Sequence, residues 1–386
     1  MRILHTSDWH IGREFNGESL ADFQREFLVW LCDQVRHHQV DLVIVAGDIY
    51  DKAVPKGEAT TLLDWGLEQL RAAGADLVLI SGNHDDAARL SFGAARQRSS
   101  GVYIEARDEQ FPEPFVYSAK GKSVILAPIP FLDPQRAPQP MPDSDGLPRP
   151  RTHQHVLEDA IFVAQQKAKA LGDFPVLAVA HAYVQGSEGS DSERSIGGSE
   201  LVDASIFQGF TYTALGHLHR PQSVHGDGSI AYSGSPLAYS FSEEHHKSVR
   251  LLELNDSGFF DVTVLSIPVG RPVKVLTDSF ENLLHAPEYD AYLNHWVSAK
   301  LTDEGAIEDG MARLRVRFPH IASLLRATVR AGAMTGPDAE GVDLEEQDKY
   351  ETVVAFVEDI AGRAPTPLEA ELLERGLNQL LSEVDA

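Results

Sequence analysis

Seven residues able to hold metal ions recur along the chain in short polar clusters: Asp8 and His10, Asp48, Asn83, His181, and finally His217 and His219. Four imidazoles, two carboxylates and an amide make a mixed nitrogen and oxygen donor set that suits Mn²⁺, Fe or Zn²⁺. No thiolate belongs to it, which argues against a structural zinc. Seven donors are too many for one ion and suit two that share a bridging carboxylate. Asp48 is the expected bridge, because it follows Gly47 at a strand end where both ions could reach it. Two ions roughly 4 Å apart generate a hydroxide at neutral pH, orient a phosphate and offset charge on the attacking and leaving oxygens. Asp51, in Gly47-Asp48-Ile49-Tyr50-Asp51, and Asp85, in Gly82-Asn83-His84-Asp85, read as residues that brace the ligands or cap turns rather than as ligands themselves. His5, His37, His38, His245 and His246 lack such context and read as core or surface histidines.

Each cluster stands at the downstream end of a short apolar run. The runs are Arg2 to Thr6, Leu42 to Ala46, Leu77 to Ile80, Val176 to Val179 and Tyr212 to Leu215. Four or five apolar, partly β-branched residues bounded by Gly or Asp read as buried strands. Sites in an open α/β sheet form outside the carboxyl ends of the strands, so five strand ends deliver these groups to one rim. An isolated Asp-x-His or Gly-Asn-His-Asp is weak and could be a turn. All five clusters in this order carry the weight. Between the strands, Phe23, Phe27, Trp30, Leu31 and Val35 fall at helical spacing, as do Leu62, Leu63, Leu67 and Leu70. Val124 to Ala127 is a further strand, and Val156 to Leu171 a helix. Residues 133–152 are proline-rich and read as a mobile loop. Gly186 to Ser199 reads as a flexible loop beside the site.

The 386 residues are 43% hydrophobic, enough for one large core and one or two smaller ones. Cys32, the single cysteine, falls in a helical pattern and reads as a core residue, and a disulfide framework is excluded. With no leader-like start and no apolar stretch of membrane-spanning length, the expected location is the cytoplasm, with no membrane partner. The net charge of −25 argues against strong unaided nucleic-acid binding. That charge is uneven: roughly −14 over residues 1–270, roughly zero over 271–330 and roughly −11 over 331–386.

Beyond the last cluster the pattern changes. Ile230 to Tyr232, Ser248 to Leu254 and Phe259 to Ile267 read as a meander, with Asn255-Asp256-Ser257-Gly258 as a hairpin turn. Two sheets packed face to face with helices outside would accommodate both halves of residues 1–270. Residues 271–333 read as a small α/β appendage, with a strand at Trp296 to Leu301, a helix at Ala306 to Phe318 and a strand at Ile321 to Val329. Met334 to Asp343 is a linker. Two amphipathic tail helices follow, one on Tyr350, Val353, Val354, Val357, Ile360 and Ala361. The other opens with Thr366-Pro367-Leu368-Glu369, an N-cap signature. In this acidic chain the near-neutral appendage, with Arg313, Arg317, Arg326 and Arg330, is the candidate for DNA phosphate contacts. The alternative for these arginines is a solvated basic face.

Asp8-x-His10, Gly47-Asp48-x-x-Asp51, Gly82-Asn83-His84-Asp85, His181 and Gly216-His217-x-His219 together resemble the signature of the calcineurin-like metallophosphoesterases. Met1 to Gly12, Gly234-Ser235-Pro236 and the Ser/Glu/Arg loop at Ser190 to Gly198 narrow the resemblance to SbcD-type bacterial nuclease subunits, which act in DNA repair and recombination. The superfamily resemblance covers roughly residues 1–270 and the narrower one reaches about 330. It implies a four-layer fold of two packed mixed β-sheets flanked by helices, with a capping domain at 271–333. Residues 334–386 would be the linker and helical tail that grips the coiled coil of an SbcC-like ATPase. Asp8, His10 and His219 would hold one Mn²⁺ and Asn83, His181 and His217 the other, with Asp48 between them and Mg²⁺ as a substitute. His84 would face the scissile phosphate and assist the leaving oxygen. The implied activity is double-strand exonuclease and single-strand or hairpin endonuclease, in a homodimer associated with the nucleoid. Rival readings are a small-molecule phosphodiesterase on the same centre, or a scaffold that lost its chemistry. The appendage and tail speak against the first, the complete donor set against the second.

Overall fold

A strand such as Leu42-Val43-Ile44-Val45-Ala46 carries apolar side chains on both faces, so both faces must be covered. The computed structural model describes residues 1–194, 201–224, 226–303, 305 and 307–326, with 365, 366, 368–370, 372 and 373. It meets the requirement with two six-stranded mixed sheets. The first has the order Phe260–Ser266, Ser248–Leu254, Arg2–Thr6, Leu42–Ala46, Asp76–Ile80, Val102–Glu105. From Arg2–Thr6 onward its strands are parallel, and the other two form an antiparallel hairpin beside them. The second has the order Gln222–Ser223, Ile230–Tyr232, Tyr212–Gly216, Val176–His181, Lys122–Ile129, Phe115–Ala119. Its four inner strands are parallel and its two edge strands antiparallel.

Side-chain alternation assigns the faces. Val43 and Val45 pack outward with Phe27, Leu31, Leu62 and Leu70 of helices Ala21–His38 and Gly57–Ala73. Leu42, Ile44 and Ala46 pack inward against Leu177, Val179 and Ala214 of the second sheet. That sheet turns Ala180 and Leu215 outward onto Ala160, Ile161 and Leu157 of helix His153–Leu171. Helices, sheet, sheet and helix make the expected four layers. Ile44 is fully buried between the sheets, so truncation to Ala would cost ~2–5 kcal/mol. Cys32 is buried in the outer core beside Phe27 and Leu31.

The expected meander is corrected. Ser248–Leu254 and Phe260–Ser266 do pair through the Asn255–Gly258 turn, but Ile230–Tyr232 lies in the other sheet, parallel to Tyr212–Gly216. Local pattern reports a strand and not its partner. The proline-rich loop has no regular structure, as expected, yet it is fastened: Arg149 donates to the Met141 carbonyl and pairs with Glu158 and Asp159.

In the appendage the strands are Val273–Asp278, Trp296–Leu301 and Ile321–Arg326, all parallel, with helices Phe280–His285 and Gly310–Arg317 between them. Sequence reading missed the first strand and the first helix, and drew the second helix longer than its described length. Leu276, Phe280, Leu283, Val297, Leu314 and Phe318 form a core of their own.

The chain divides into the units Met1–Thr328 and Val329–Ala386. In the second, the Glu369 amide donates to Thr366 Oγ1 at 3.4 Å while the Thr366 amide donates to Glu369 Oε2 at 2.7 Å, the reciprocal cap that its sequence promised. The stripe over residues 350–361, the linker at 334–343 and most of the last helix lie outside the described residues. Among the described residues no helix is long and apolar enough to cross a membrane.

Candidate metal centre

The five clusters meet at one rim, three from the first sheet and two from the second. Asp8 and His10 leave the Arg2–Thr6 strand, Asp48 follows Leu42–Ala46, and Asn83 follows Asp76–Ile80. His181 ends Val176–His181, while His217 and His219 follow Tyr212–Gly216. Getting the side chains inward strains the backbone: Asp8, His10, Asp48 and His217 have φ of 53°, 44°, 50° and 106°. Left-handed conformations cost non-glycine residues ~1–3 kcal/mol each and persist where the surrounding structure enforces them. Here the Asp8 amide donates to the Gly47 carbonyl at 3.0 Å and the His10 amide to the Asp48 carbonyl at 3.0 Å. Two glycines make room: a Cβ on Gly82 would run into the Asp48 carboxylate, and one on Gly216 into the Ala46 carbonyl.

Within this rim Asp8, His10 and His219 bring donor atoms within 4.8 Å of one another, and so do Asp8, Asp48 and His181. Asp48 Oδ2 lies 3.6 Å from His10 Nε2 and 3.5 Å from His181 Nε2, between the two sides. Asn83 Oδ1 stands 3.0 Å from His181 Nε2 and 3.0 Å from His217 Nδ1. All are buried except Asn83, which is half-buried.

Protonation states suit cations. Burial, helped by neighbouring imidazoles, lowers His217 to about 3 and holds His10 well below the usual histidine range. Burial also lowers His181, whose Nδ1 must donate to the Ala46 carbonyl at 2.9 Å, so its Nε2 lone pair points into the site. Burial and the Asp48 charge push Asp8 well above the carboxylate range. Burial alone would raise Asp48 too, but His181 and His84 outweigh it and the net direction is down. His10 Nε2 and His219 Nε2 face each other at 3.1 Å, and His10 Nδ1 has no hydrogen-bond partner among the described residues. Neutral imidazole lone pairs and crowded carboxylates converging in a buried space fit divalent ions, which would relieve the repulsion and occupy the lone pairs.

Asp85 braces the rim: its carboxylate accepts from the amides of Ile49 at 3.0 Å, Tyr50 at 2.9 Å and Gly82 at 2.9 Å. Burial and Asp48 raise it to about 7 against those three bonds. Asp51 pairs with Arg13 at 2.9 Å, and its carbonyl takes His84 Nδ1 at 2.8 Å. A carbonyl only accepts, so His84 Nδ1 carries the hydrogen and Nε2 is left for other work. His84 is half-buried and close enough to group with His10 and Asp48. His5 is a core residue, 3.0 Å from the Leu215 carbonyl and 3.3 Å from the Tyr212 hydroxyl.

Sequence reasoning missed a second layer beneath His219. The buried Glu243 places Oε1 3.0 Å from His219 Nδ1 and Oε2 2.5 Å from Lys247 Nζ. Ser192 donates to Glu243 at 2.7 Å and meets His219 Nδ1 at 2.8 Å, so the described part of the serine-rich loop is packed into the site. Tyr239 donates to the Trp9 carbonyl at 2.8 Å and sets its ring 5.1 Å from His10 and 5.2 Å from His219. The available signal was Glu243 and Lys247 four apart in a segment with no apolar periodicity to explain them.

The arginines of the appendage are unequal. Arg317 is committed to the Leu283 and Ala286 carbonyls and to Asp290, which makes it a fastener within the appendage. Arg313 lies over Phe280 and beside Glu281, Arg326 reaches the Gly305 carbonyl, and Arg330 lies outside the described residues.

Two packed sheets that focus this donor set on one rim define a metal-dependent hydrolase of phosphate esters. The chain belongs to the calcineurin-like phosphoesterase family, which it matches over residues 1–221. Residues 269–360 match the type 5 capsule protein repressor C-terminal domain. The chain is 28% identical over 386 residues to SbcD, the nuclease subunit of SbcCD from Staphylococcus epidermidis, covering 99% of each protein. Among solved structures it is similar to GAP50, the anchor in the inner membrane complex of Plasmodium (14% identity, 69% of this chain and 85% of that one, TM-score 0.43). It is also similar to a dimetal phosphatase from Danio rerio (13% identity, 69% and 98%, TM-score 0.39).

Proposed function

We propose that the protein is a manganese-dependent DNA nuclease, the nuclease subunit of an SbcCD-type complex in DNA repair and recombination. The observation that carries this is a complete seven-donor centre on a chain that aligns over 99% of its length with a nuclease subunit. Asp8, His10 and His219 would hold one ion, Asn83, His181 and His217 the other, with Asp48 shared. When bound, the ions supply Lewis acidity toward water and positive charge for the phosphate. His84, fixed through Nδ1 by the Asp51 carbonyl, presents Nε2 toward the substrate side and passes a proton to the leaving oxygen. Its partial exposure, where the ligand histidines are buried, supports that division of labour.

The roles divide along the chain: residues 1–270 cut, 271–333 cap the site and contact DNA, and 334–386 link to and bind the coiled coil of an SbcC-like ATPase. The acidic balance of −25 supports a partner or a second copy that supplies much of the grip on DNA. The setting is cytoplasmic, at the nucleoid.

End-labelled duplex and hairpin DNA should be cleaved in the presence of Mn²⁺, with bis-p-nitrophenyl phosphate hydrolysed alongside. Hydrolysis of the small ester with intact DNA, even when an SbcC-like ATPase and ATP are added, would instead mark a small-molecule phosphodiesterase. Deleting residues 344–386 should leave ester hydrolysis in place and abolish co-purification with the ATPase. Undiminished co-purification would move the partner site elsewhere.

A further inference from the structure

We propose that Glu243 is a positioning residue for the metal ligand His219, making one metal position depend on a carboxylate that lies outside the donor set. The inference rests on the reading of His219 as a ligand and extends it to the layer beneath.

The geometry is specific. Glu243 is 1% exposed, and its Oε1 lies 3.0 Å from His219 Nδ1. Ser192 Oγ also meets Nδ1, at 2.8 Å, while giving its own hydrogen to Glu243. Both neighbours therefore accept, Nδ1 carries the hydrogen, and the Nε2 lone pair is aimed at the rim, where it faces His10 Nε2 at 3.1 Å. Fixing the tautomer and rotation of a ligating histidine through its other nitrogen is a general device of metal sites. Without it the imidazole could flip, or carry its hydrogen on the nitrogen that must bind.

The carboxylate is itself held from several directions. Lys247 neutralises it at 2.5 Å, the Tyr239 amide donates at 3.2 Å, and the Ser190 hydroxyl donates at 3.1 Å. Lys247 Nζ also donates to Ser235 Oγ at 2.9 Å. The adjacent Glu244 points the other way, to Lys274 Nζ at 2.6 Å and the Val275 amide at 2.9 Å on the first strand of the appendage. Neighbouring glutamates thus divide the work, one holding a metal ligand and the other an appendage strand. A plainer role for Glu243, neutralising a buried lysine, predicts different behaviour when the lysine is removed.

The test is Mn²⁺ binding to the full chain, by isothermal titration and by paramagnetic resonance, for wild type, Glu243→Gln, Glu243→Gln with Lys247→Met, and Glu244→Gln. Wild type should bind two ions. Glu243→Gln should weaken one of them roughly 10–100-fold and leave the other unchanged. The double variant removes the unpaired lysine and should regain thermal stability without regaining the weakened site. Glu244→Gln, a similar charge change one residue away, should bind both ions normally. Two undiminished sites in Glu243→Gln would overturn the proposal, as would full recovery of metal affinity in the double variant. A wild-type protein that binds no Mn²⁺ overturns the metal reading and the proposal together. One that binds two ions but cuts no DNA overturns the nuclease reading alone.

Discussion

The two sides of the metal centre are built by different means. His181 is oriented by a neutral backbone carbonyl, that of Ala46, at the end of a strand in the facing sheet. His219 is oriented by a charged side chain on a strap that returns to the site after another strand has been laid down. The first brace exists as soon as the sheets pack, because Ala46 and Val179 share one core. The second requires Glu243 and Lys247 to be buried together, and removing either partner leaves an uncompensated charge. Side chains can be substituted where backbone carbonyls cannot, so the strap side is where metal affinity can be adjusted without touching the fold.

The largest expected effect comes from the residue that erases the distinction. Asp48 Oδ2 stands between the sides, 3.6 Å from His10 and 3.5 Å from His181. Asp48→Asn removes the negative charge available to both ions, so elemental analysis should find at least one metal lost per chain and DNA cleavage at background. A variant that keeps two metals would show that the sides are independent and that Asp48 bridges nothing.

His84 should separate chemistry from binding. Its Nδ1 is tied to the Asp51 carbonyl, and Gln at this position keeps polar reach without an imidazolium. His84→Gln should retain both metals and near-normal DNA affinity while cleavage falls by ~10²–10⁴-fold. Loss of metal would make His84 a ligand of the Asp48 side. Normal turnover with both metals would assign leaving-group protonation to water.

These expectations drew unevenly on sequence. The sheet side was legible because each candidate ligand there follows a glycine at the end of an apolar strand, as in Gly47-Asp48, Gly82-Asn83 and Gly216-His217, and strand ends must gather at one rim. The buried histidine His5 was legible too, from its place inside the first strand. Glu243 was not: it lies 24 residues beyond His219, in a segment whose conformation is fixed by the groups it touches rather than by any period. Partner choice failed in the same way for Ile230–Tyr232, since alternation is equally satisfied in either sheet. Val273–Asp278 escaped because its Lys274 and Thr277 interrupt the apolar run on a half-covered sheet.

A smaller effect concerns the appendage. With Arg317 committed internally, the arginines left for phosphate are Arg313 and Arg326 among the described residues, with Arg330 beyond them. Replacing these three with Gln should leave both metal sites and small-ester hydrolysis unchanged. The dependence of DNA affinity on salt should flatten by about one unit of slope per lost contact. An unchanged slope would leave them as a solvated basic face. Arg317→Gln should instead lower thermal stability, by loosening Phe280–His285 from Gly310–Arg317.

The subtlest test concerns what joins the two sheets beneath the centre. His5, on the strand that delivers Asp8 and His10, reaches the Leu215 carbonyl and Tyr212 hydroxyl on the strand that delivers His217 and His219. Nε2 donates to the carbonyl and Nδ1 accepts from the hydroxyl, so the ring must be neutral. Burial, then the Arg250 charge, lowers it to about 3, against the contribution of the Leu215 carbonyl. An unfolded chain protonates the same ring near 6.5. Between those values the unfolded state holds a proton that the folded state refuses. The stabilisation is therefore complete above pH 6.5 and is lost as pH falls toward 3. His5→Gln offers a donor and an acceptor of similar reach but does not titrate. Urea midpoints of the metal-free proteins at pH 7 and pH 5 should show wild type losing more stability than the variant, by up to about 2 kcal/mol. The other buried histidines contribute equally to both proteins and cancel in the difference. Identical losses would mean that His5 is protonated in the folded protein, and the link between the strands would have to be a charged one.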